Sequence, residues 1–154
     1  MPSAENPALH QLRAAAPKDL PMILRGERLY LQQIEPANEA GWIAALDRNL
    51  ELWIANLERT IMLEAHGEAA GYAMWMPRGG GATLVTMHVL PDCRRHGFGA
   101  RLLEWFADDA AAAGIRRLDL GVHRENPAQL LYERAGYRRT GEDGDYLLYS
   151  RANS

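Results

Sequence analysis

The sequence predicts an α/β (α+β) fold in a single domain that covers residues 1–154. Short apolar or alternating segments typical of strands are interspersed with segments of helical spacing, in the order β-α-α-β-β-β-α-β-α-β-β. The 154 residues, of which 47% are apolar, are enough to bury one core, and the chain has no internal repeat or low-complexity segment. We expect an ordered core at 11–151 and disorder at 1–10.

The N-terminal half is expected to form one strand, two helical segments and three further strands. A short strand at 12–16 precedes Asp19, which is placed to cap a helix that has Pro21 in its first turn. Apolar residues keep helical spacing across 38–57, and we expect a break near Asn49. A hairpin turn and a glycine-rich turn separate the three strands, which are placed at 60–64, 69–76 and 82–89.

The C-terminal half alternates helices and strands. A helix is predicted from Gly97 onward, and Gly114 marks its end. A strand at 118–122 follows, and Asn126 then marks the start of a helix that ends at Gly136. A final antiparallel pair of strands is predicted at 137–141 and 146–151.

The join between the strand at 82–89 and the following helix has the composition of an anion-binding site. Its sequence is Arg94-Arg95-His96-Gly97-Phe98-Gly99. Glycines let a ligand approach the backbone, and the unpaired amides and the dipole of a helix N-terminus favour a phosphate group. A simple tight turn between strand and helix is the alternative. The spacing fits neither the dinucleotide fingerprint, which needs a third glycine where Leu102 stands, nor the P-loop, which needs Gly-Lys-Ser/Thr.

Two segments of the chain resemble motifs of the GNAT superfamily of N-acetyltransferases. Residues 94–99 match motif A, Arg/Gln-x-x-Gly-x-Gly/Ala at the opening of a helix, at every fixed position. Residues 126–137 are similar to motif B, Asn-x-x-Ala-x-x-Leu-Tyr-x-x-x-Gly-Phe, with the alanine two residues after Asn126. The resemblance covers about residues 11–150. It implies the GNAT acyl-CoA N-acyltransferase fold, in which a mixed, largely antiparallel sheet of six to seven strands is splayed between its fourth and fifth strands and flanked by about four helices.

The resemblance also implies acetyl-CoA as the cosubstrate and assigns residues to it, with no metal. The backbone of Met87, His88 and Val89 would pair with the pantetheine arm, and an amide of that segment would stabilise the charge that develops on the thioester oxygen. Asn126 and Tyr132 would contact the cofactor from the second motif. The pyrophosphate would rest on Arg94, Arg95, His96, Gly97, Phe98, Gly99 and Ala100.

Tyr132 is the candidate general acid, because a phenol held close to sulfur can protonate the thiolate that leaves coenzyme A. Packing of this tyrosine against its helix is the alternative. The general base is not assigned. Where relatives have Glu or His, this chain has Thr83, Val85 and Gly121, which cannot accept a proton. The substitutes that remain open are Glu64, His88 and Asp92.

The resemblance therefore implies an N-acetyltransferase that moves acetyl directly from acetyl-CoA to a primary amine in a ternary complex. We favour a small-molecule acceptor, although metabolites, antibiotics, polyamines and protein termini all carry such amines. The acceptor site is expected around 24–33, Trp53, Trp75 and the final hairpin. A non-catalytic acyl-CoA-binding module and a protein N-terminal or lysine acetyltransferase are the alternatives.

Charge, cysteine content and hydropathy restrict the remaining functions. A net charge of −3 argues against a nucleic-acid partner. The single cysteine, Cys93, excludes an internal disulfide and is expected to be a spectator thiol. Because the sequence has no membrane-length apolar run and no signal-like N-terminus, we expect a cytoplasmic protein without a membrane partner. Exposed edge strands are compatible with a homodimer.

Overall fold

The computed structural model describes residues 10–153, so the disorder expected at 1–10 lies outside the described residues except at His10, which is the first residue of a strand. The strands are β1 (His10–Ala14), β2 (Thr60–Ala65), β3 (Glu68–Arg78), β4 (Gly81–Val89), β5 (Arg117–His123), β6 (Arg138–Asp143) and β7 (Tyr146–Ala152). The α-helices are α1 (Leu20–Ile34), α2 (Glu39–Ala44), α3 (Leu46–Ala55), α4 (Phe98–Ala112) and α5 (Gln129–Arg134). Between residues 10 and 153, no helix combines the length and the apolarity needed to cross a membrane.

The strands form one sheet in the order β1-β2-β3-β4-β5-β7-β6, which confirms the predicted fold class. Every neighbouring pair is antiparallel except β4 and β5, whose parallel pairing is limited to Ala82 with Leu118 and Thr83 with Asp119. Beyond Thr83 the two strands separate. Val85 has no partner in the β3 register at this point, and such a bulge bends its strand. The bulge therefore coincides with the predicted splay between the fourth and fifth strands.

Two clusters of buried side chains cover opposite faces of the sheet. One lies under α4 and includes Leu102, Phe106 and Trp75. The other lies under α1 and α3 and includes Ile23 and Trp53. Successive residues of β3 face opposite clusters, which is why that strand is an almost continuous apolar run rather than an alternating one.

Three local predictions differ from the structure. The first strand ends at Ala14 rather than at residue 16, because a 3-10 turn begins at Pro17. The helical region 38–57 breaks at Ala45, between α2 and α3, rather than near Asn49. Asp19 precedes α1 as predicted, but its carboxylate accepts bonds from Arg13 and from the Ala16 amide instead of capping the helix.

Candidate active site

A cavity of about 230 Å³ opens where β4 and β5 separate. Its walls come from α1, β4, β5, α5 and the hairpin between β6 and β7. Its polar lining consists of Glu27, Tyr30, Glu35, Thr86, His88, His123, Asn126, Tyr132 and Tyr146. The splay thus brings ionisable groups from both ends of the chain to one place.

The loop before α4 presents free backbone amides beside this gap. The amides of residues 95–100 make no hydrogen bond to any residue from 10 to 153, and Arg101 is the first to donate, to the Gly97 carbonyl at 3.0 Å. Arg95 and Gly97 adopt left-handed conformations, with φ of 68° and 77°. Successive amides with alternating handedness form a concave nest for an anion, and the helix dipole adds partial positive charge there. The predicted phosphate loop therefore has unoccupied donors.

The end of β4 offers further backbone groups to the gap. The Leu90 amide donates to the Ala70 carbonyl at 2.8 Å, which fixes the direction of the amides before it. Because backbone groups alternate in direction along a strand, those of Met87 and Val89 point away from β3 and towards the gap, while those of His88 face β3. The Arg94 Nε donates to the Val89 carbonyl at 3.1 Å and closes the outer end of this edge.

Tyr132 stands on α5 with its side chain in the cavity lining, and it is only 6% exposed. Its hydroxyl has no hydrogen-bond partner in the described part of the chain, and its ring meets Tyr137 edge-on at 6.3 Å between centroids. Burial, followed by the neighbouring Tyr137, raises the pKa of the Tyr132 phenol above its ordinary value. The phenol therefore keeps its proton at neutral pH, which is the form a general acid needs.

Asn126 lies in the turn before α5 and also lines the cavity. Its Oδ1 accepts the Ala128 amide at 2.9 Å, so the side chain shapes the turn, while the helix itself begins at Gln129. The Asn126 side chain also neighbours the Tyr30 hydroxyl as a hydrogen-bonding group, which holds it at the edge of the gap.

His88 lines the cavity beside Tyr72, with 5.7 Å between the ring centroids. Its Nε2 is buried and has no hydrogen-bond partner within residues 10–153. Burial, followed by the positive charge of Arg94, lowers the pKa of the imidazole to about 4. His88 is therefore neutral at physiological pH and a weak proton acceptor.

Glu27 on α1 is a carboxylate in the cavity for which the sequence reasoning assigned no role. Its Oε2 accepts hydrogen bonds from the hydroxyls of Tyr72 and Thr86, both at 2.7 Å. Burial raises the pKa of this carboxyl, against the opposing effect of the two hydrogen bonds. A carboxylate whose pKa is raised towards neutrality is suited to accept a proton from a substrate.

Glu35, at the C-terminal end of α1, is the second cavity carboxylate and was not predicted. Its Oε2 accepts the Tyr30 hydroxyl at 2.5 Å, and its Oε1 accepts the Asn38 amide at 2.8 Å and the Tyr146 hydroxyl. Burial acts to raise the pKa of Glu35, but the hydrogen bonds from Tyr146, Tyr30 and Asn38 outweigh it and lower the pKa below its usual range. Glu35 therefore stays ionised although it is only 6% exposed.

Several residues expected near the site lie elsewhere. Glu64 on β2 is paired with Arg13, whose Nε lies 2.6 Å from its Oε2, and both Glu64 and Asp92 lie outside the cavity lining. Trp53 and Trp75, expected at the acceptor site, are core side chains, and Trp75 Nε1 donates to Asp109. Their large apolar surfaces are buried against α1 and α4, which is the usual outcome for an amphipathic stripe.

The helical pattern of α1 contained a signal for Glu27. Ile23, Glu27 and Leu31 follow one another at intervals of four residues, so a carboxylate interrupts the buried stripe of the helix. Glu35 and Tyr146 carried no comparable signal, because one follows a helix and the other begins a strand after a turn. Only the folded sheet brings these two residues together.

A parallel pair that splays in a mostly antiparallel sheet, with an amide nest at the following helix, defines the acyl-CoA-dependent N-acyltransferase class. The family model described as acetyltransferase (GNAT) family matches residues 24–137. The chain belongs to this family. This membership confirms the predicted GNAT N-acetyltransferase, with acetyl-CoA as the cosubstrate.

Relatives and solved structures agree with this assignment. The mycothiol acetyltransferase of Clavibacter michiganensis subsp. michiganensis is 35% identical over 101 residues, which are 65% of this chain but only 33% of that protein. PaiA N-acetyltransferase from Thermoplasma acidophilum, solved in complex with coenzyme A, superimposes with a TM-score of 0.79 at 18% identity, covering 93% of this chain and 98% of its own. Ard1 from Thermoplasma volcanium superimposes with a TM-score of 0.77 at 18% identity, and the match covers 95% of this chain and 99% of the Ard1 chain. At such identities the two structures show a shared fold.

Proposed function

We propose that this protein transfers the acetyl group of acetyl-CoA to the primary amine of a small molecule by direct attack in a ternary complex. The observation that carries the proposal is that Glu27, Tyr132 and the free edge of β4 share one cavity. A proton acceptor, a proton donor and backbone groups for a ligand are the parts that such a transfer needs.

The residues around the gap fit coenzyme A. The free amides of residues 95–100 suit its diphosphate, and the edge groups of Met87 together with the Val89 amide suit the amides of its pantetheine arm. Asn126 lines the cavity and is placed for a further contact. Bound acetyl-CoA would supply a thioester whose carbon accepts the amine.

The cavity side chains then divide the proton transfers. Glu27 accepts a proton from the substrate ammonium, which frees the nitrogen electron pair to form the new C–N bond. The C–S bond breaks with its electron pair on sulfur, and the Tyr132 hydroxyl gives that sulfur its proton. The nitrogen loses a second proton as it becomes the amide nitrogen, and this proton restores the Tyr132 hydroxyl through solvent. Glu27 releases its proton to solvent, so one proton is released in each turnover. The products are the acetylated amine and the free thiol of coenzyme A.

The size of the cavity supports a small acceptor over a protein substrate. Pockets for drug-sized ligands are typically about 300–1,000 Å³, and this cavity has about 230 Å³. The mycothiol acetyltransferase relative does not fix the acceptor, because the match spans only 33% of that protein. The cavity carboxylates favour acceptors that carry a positive charge. Acetylation of protein N-termini or lysines is the competing function, and the test below distinguishes the two.

A thiol-release assay with acetyl-CoA tests the proposal. We expect release to depend on added small amines, with mass spectrometry showing the acetylated product, and peptide amines to react more slowly. Double-reciprocal plots should intersect, as for a ternary complex, and Cys93→Ala should keep the wild-type rate. Parallel plots, or turnover of peptides alone, would contradict the proposal. Coenzyme A binding without any turnover would instead support a non-catalytic binding module.

The cytoplasmic location and the homodimer stay predictions of the sequence. β1 and β6 are the edge strands of the sheet, and β6 carries Arg138, Arg139, Glu142 and Asp143. Charged side chains on an edge strand oppose edge-to-edge pairing, so β1 is the better candidate for an interface. Size-exclusion chromatography with light scattering tests association directly.

A further inference from the structure

Glu35 is a buried carboxylate without a cation at ion-pair distance among the described residues, although His123 lies near enough to help lower its pKa. Its three hydrogen-bond donors, Tyr30, Tyr146 and Asn38, are all neutral. Within residues 10–153 it forms no ion pair with any lysine, arginine or histidine. Buried charges in proteins are normally paired, because removing an ion from water is costly. The missing counter-ion is therefore expected to come from a ligand.

The surroundings of Glu35 leave room for that ligand. Glu35, Tyr30 and Tyr146 all line the cavity that holds Glu27 and Tyr132. His88, whose side chain is more than nine-tenths buried, also lines this cavity and leaves its Nε2 without a partner in the described range. His123 packs against Tyr146, with 5.4 Å between the ring centroids, and is near enough to Glu35 to act on it electrostatically. Its Nδ1 accepts the Glu125 amide at 3.1 Å. Within the part of the chain that the structure describes, the cavity thus offers one polar guest a carboxylate that has no direct ion pair and an imidazole nitrogen that has no hydrogen bond.

The two carboxylates lie at separate positions, Glu27 within α1 and Glu35 directly after its last residue. Glu27 and Glu35 are eight residues apart, which is roughly 12 Å along a helix axis. Glu27 lies beside Thr86, next to the 87–89 segment that is expected to hold the thioester, whereas Glu35 lies beside Tyr146 on the last hairpin. One guest with a positive charge at each end can satisfy both groups at once.

We propose that Glu35, framed by Tyr30 and Tyr146, binds a second ammonium group of the acceptor, so that the preferred substrates are small diamines or polyamines. This inference rests on the proposed amine acetylation and specifies its substrate class. A monoamine leaves Glu35 without a partner, and an acceptor with a distal carboxylate meets charge repulsion there. Neutral and anionic analogues of the same length should therefore be poor substrates.

Matched acceptors test the proposal on the wild-type enzyme. Cadaverine is compared with the amino alcohol and the amino acid of the same chain length. Because hydrogen bonds to charged groups are worth more than neutral ones, we expect cadaverine to exceed the amino alcohol by about 10- to 100-fold in kcat/KM, and the amino acid to be slower still. Putrescine and spermidine then locate the preferred length. Equal kcat/KM for cadaverine and the amino alcohol would overturn the inference and leave amine acetylation standing.

The variant Glu35→Gln identifies the residue responsible. It should reduce the ratio of kcat/KM for cadaverine to kcat/KM for the amino alcohol to about one, mainly by raising KM for cadaverine. Glu39→Gln is the matched control, because Glu39 pairs with Arg28 outside the cavity and should keep the ratio. An unchanged ratio in Glu35→Gln would reject Glu35. If that variant fails to fold, the wild-type comparison decides alone.

A binding measurement separates this inference from catalysis. The thermal stability of the enzyme with coenzyme A is measured with cadaverine and with the amino alcohol. Stabilisation by cadaverine alone supports the second ammonium site even if no amine is acetylated, in which case the proposed function fails. Equal stabilisation by both compounds, or by neither, overturns the inference.

Discussion

The Tyr132 hydroxyl is the smallest group on which the proposed transfer depends. In Tyr132→Phe the ring keeps its contact with Tyr137, and only the proton donor is lost. We expect kcat to fall by about 10²- to 10⁴-fold, the usual contribution of general acid catalysis. The affinity for coenzyme A, measured by calorimetry, should not change.

Tyr137→Phe is the matched control for that variant. The Tyr137 hydroxyl is also buried without a partner in the described chain, but the residue lies outside the cavity lining. Its removal should leave kcat unchanged and cost no stability, since no hydrogen bond is lost. If Tyr132→Phe behaves like Tyr137→Phe, the phenol has only a packing role.

Glu27 gives the reaction a pH dependence of defined sign. Burial raises the pKa of this carboxyl above the value of about 4.3 that is usual for glutamate. As the pH is lowered, wild-type kcat/KM should therefore begin to fall at a higher pH than it would with an ordinary glutamate as the base. Glu27→Gln should lose about 10²-fold or more at neutral pH, and its deficit should shrink as acid protonates the wild-type residue. Measuring kcat/KM of the wild type and of Glu27→Gln with one acceptor, from acidic to alkaline pH, tests both the shifted pH profile and the shrinking deficit.

Glu64→Gln provides the comparison for Glu27. Glu64 was a candidate base from the sequence, and its ion pair with Arg13 lies outside the cavity. The pH profile of this variant should match that of the wild type. A wild-type profile for Glu27→Gln, or a loss confined to Glu64→Gln, would move the base away from α1.

At the scale of secondary-structure elements, the turn into α4 depends on one left-handed glycine. Gly97 has φ of 77° with open space around its Cα, so alanine there costs roughly 1 kcal/mol of backbone strain rather than a clash. If the backbone relaxes to relieve this strain, the amides of the nest will no longer point at the same position. We expect Gly97→Ala to weaken coenzyme A binding by about 10- to 100-fold, the worth of one hydrogen bond to a charged group.

Gly67→Ala is the matched control, because it introduces the same backbone strain at a position away from the site. Gly67 lies in the β2–β3 turn with φ of 79°, also in open space. The two variants should lose similar thermal stability, while only Gly97→Ala should lose affinity for coenzyme A. Equal affinities in both would show that the nest does not hold the diphosphate.

The elements that local signals define were the ones the sequence predicted well. The loop at 94–99 and the start of α4 depend on glycines and on a few neighbouring residues, and they appear at the predicted place. The break at Ala45 was misplaced, because the apolar stripe of 38–57 looks the same whether the helix is broken or continuous. Glu35 and Tyr146 meet only through the sheet, so no local pattern could reveal their contact.

At the scale of the whole molecule, the gap leaves two parts of the sheet weakly joined. Strands β1–β4 meet β5–β7 through only two registered residue pairs, Ala82 with Leu118 and Thr83 with Asp119. Coenzyme A placed between β4 and α5 would add contacts to both parts. We therefore expect it to stabilise the molecule as a unit rather than only the loop that holds its diphosphate.

Thermal unfolding and hydrogen exchange test this coupling. A ligand at 100 times its Kd adds about 2.7 kcal/mol of stability, which corresponds to a rise of roughly 5–10 °C in Tm for a domain of this size. Coenzyme A should also slow amide exchange in β4, β5 and α5, and Gly97→Ala at the same ligand concentration should show less of both effects. Protection confined to residues 94–101 would contradict the bridging of the two parts, because exchange in β5 and α5 reports contacts that the loop alone cannot make.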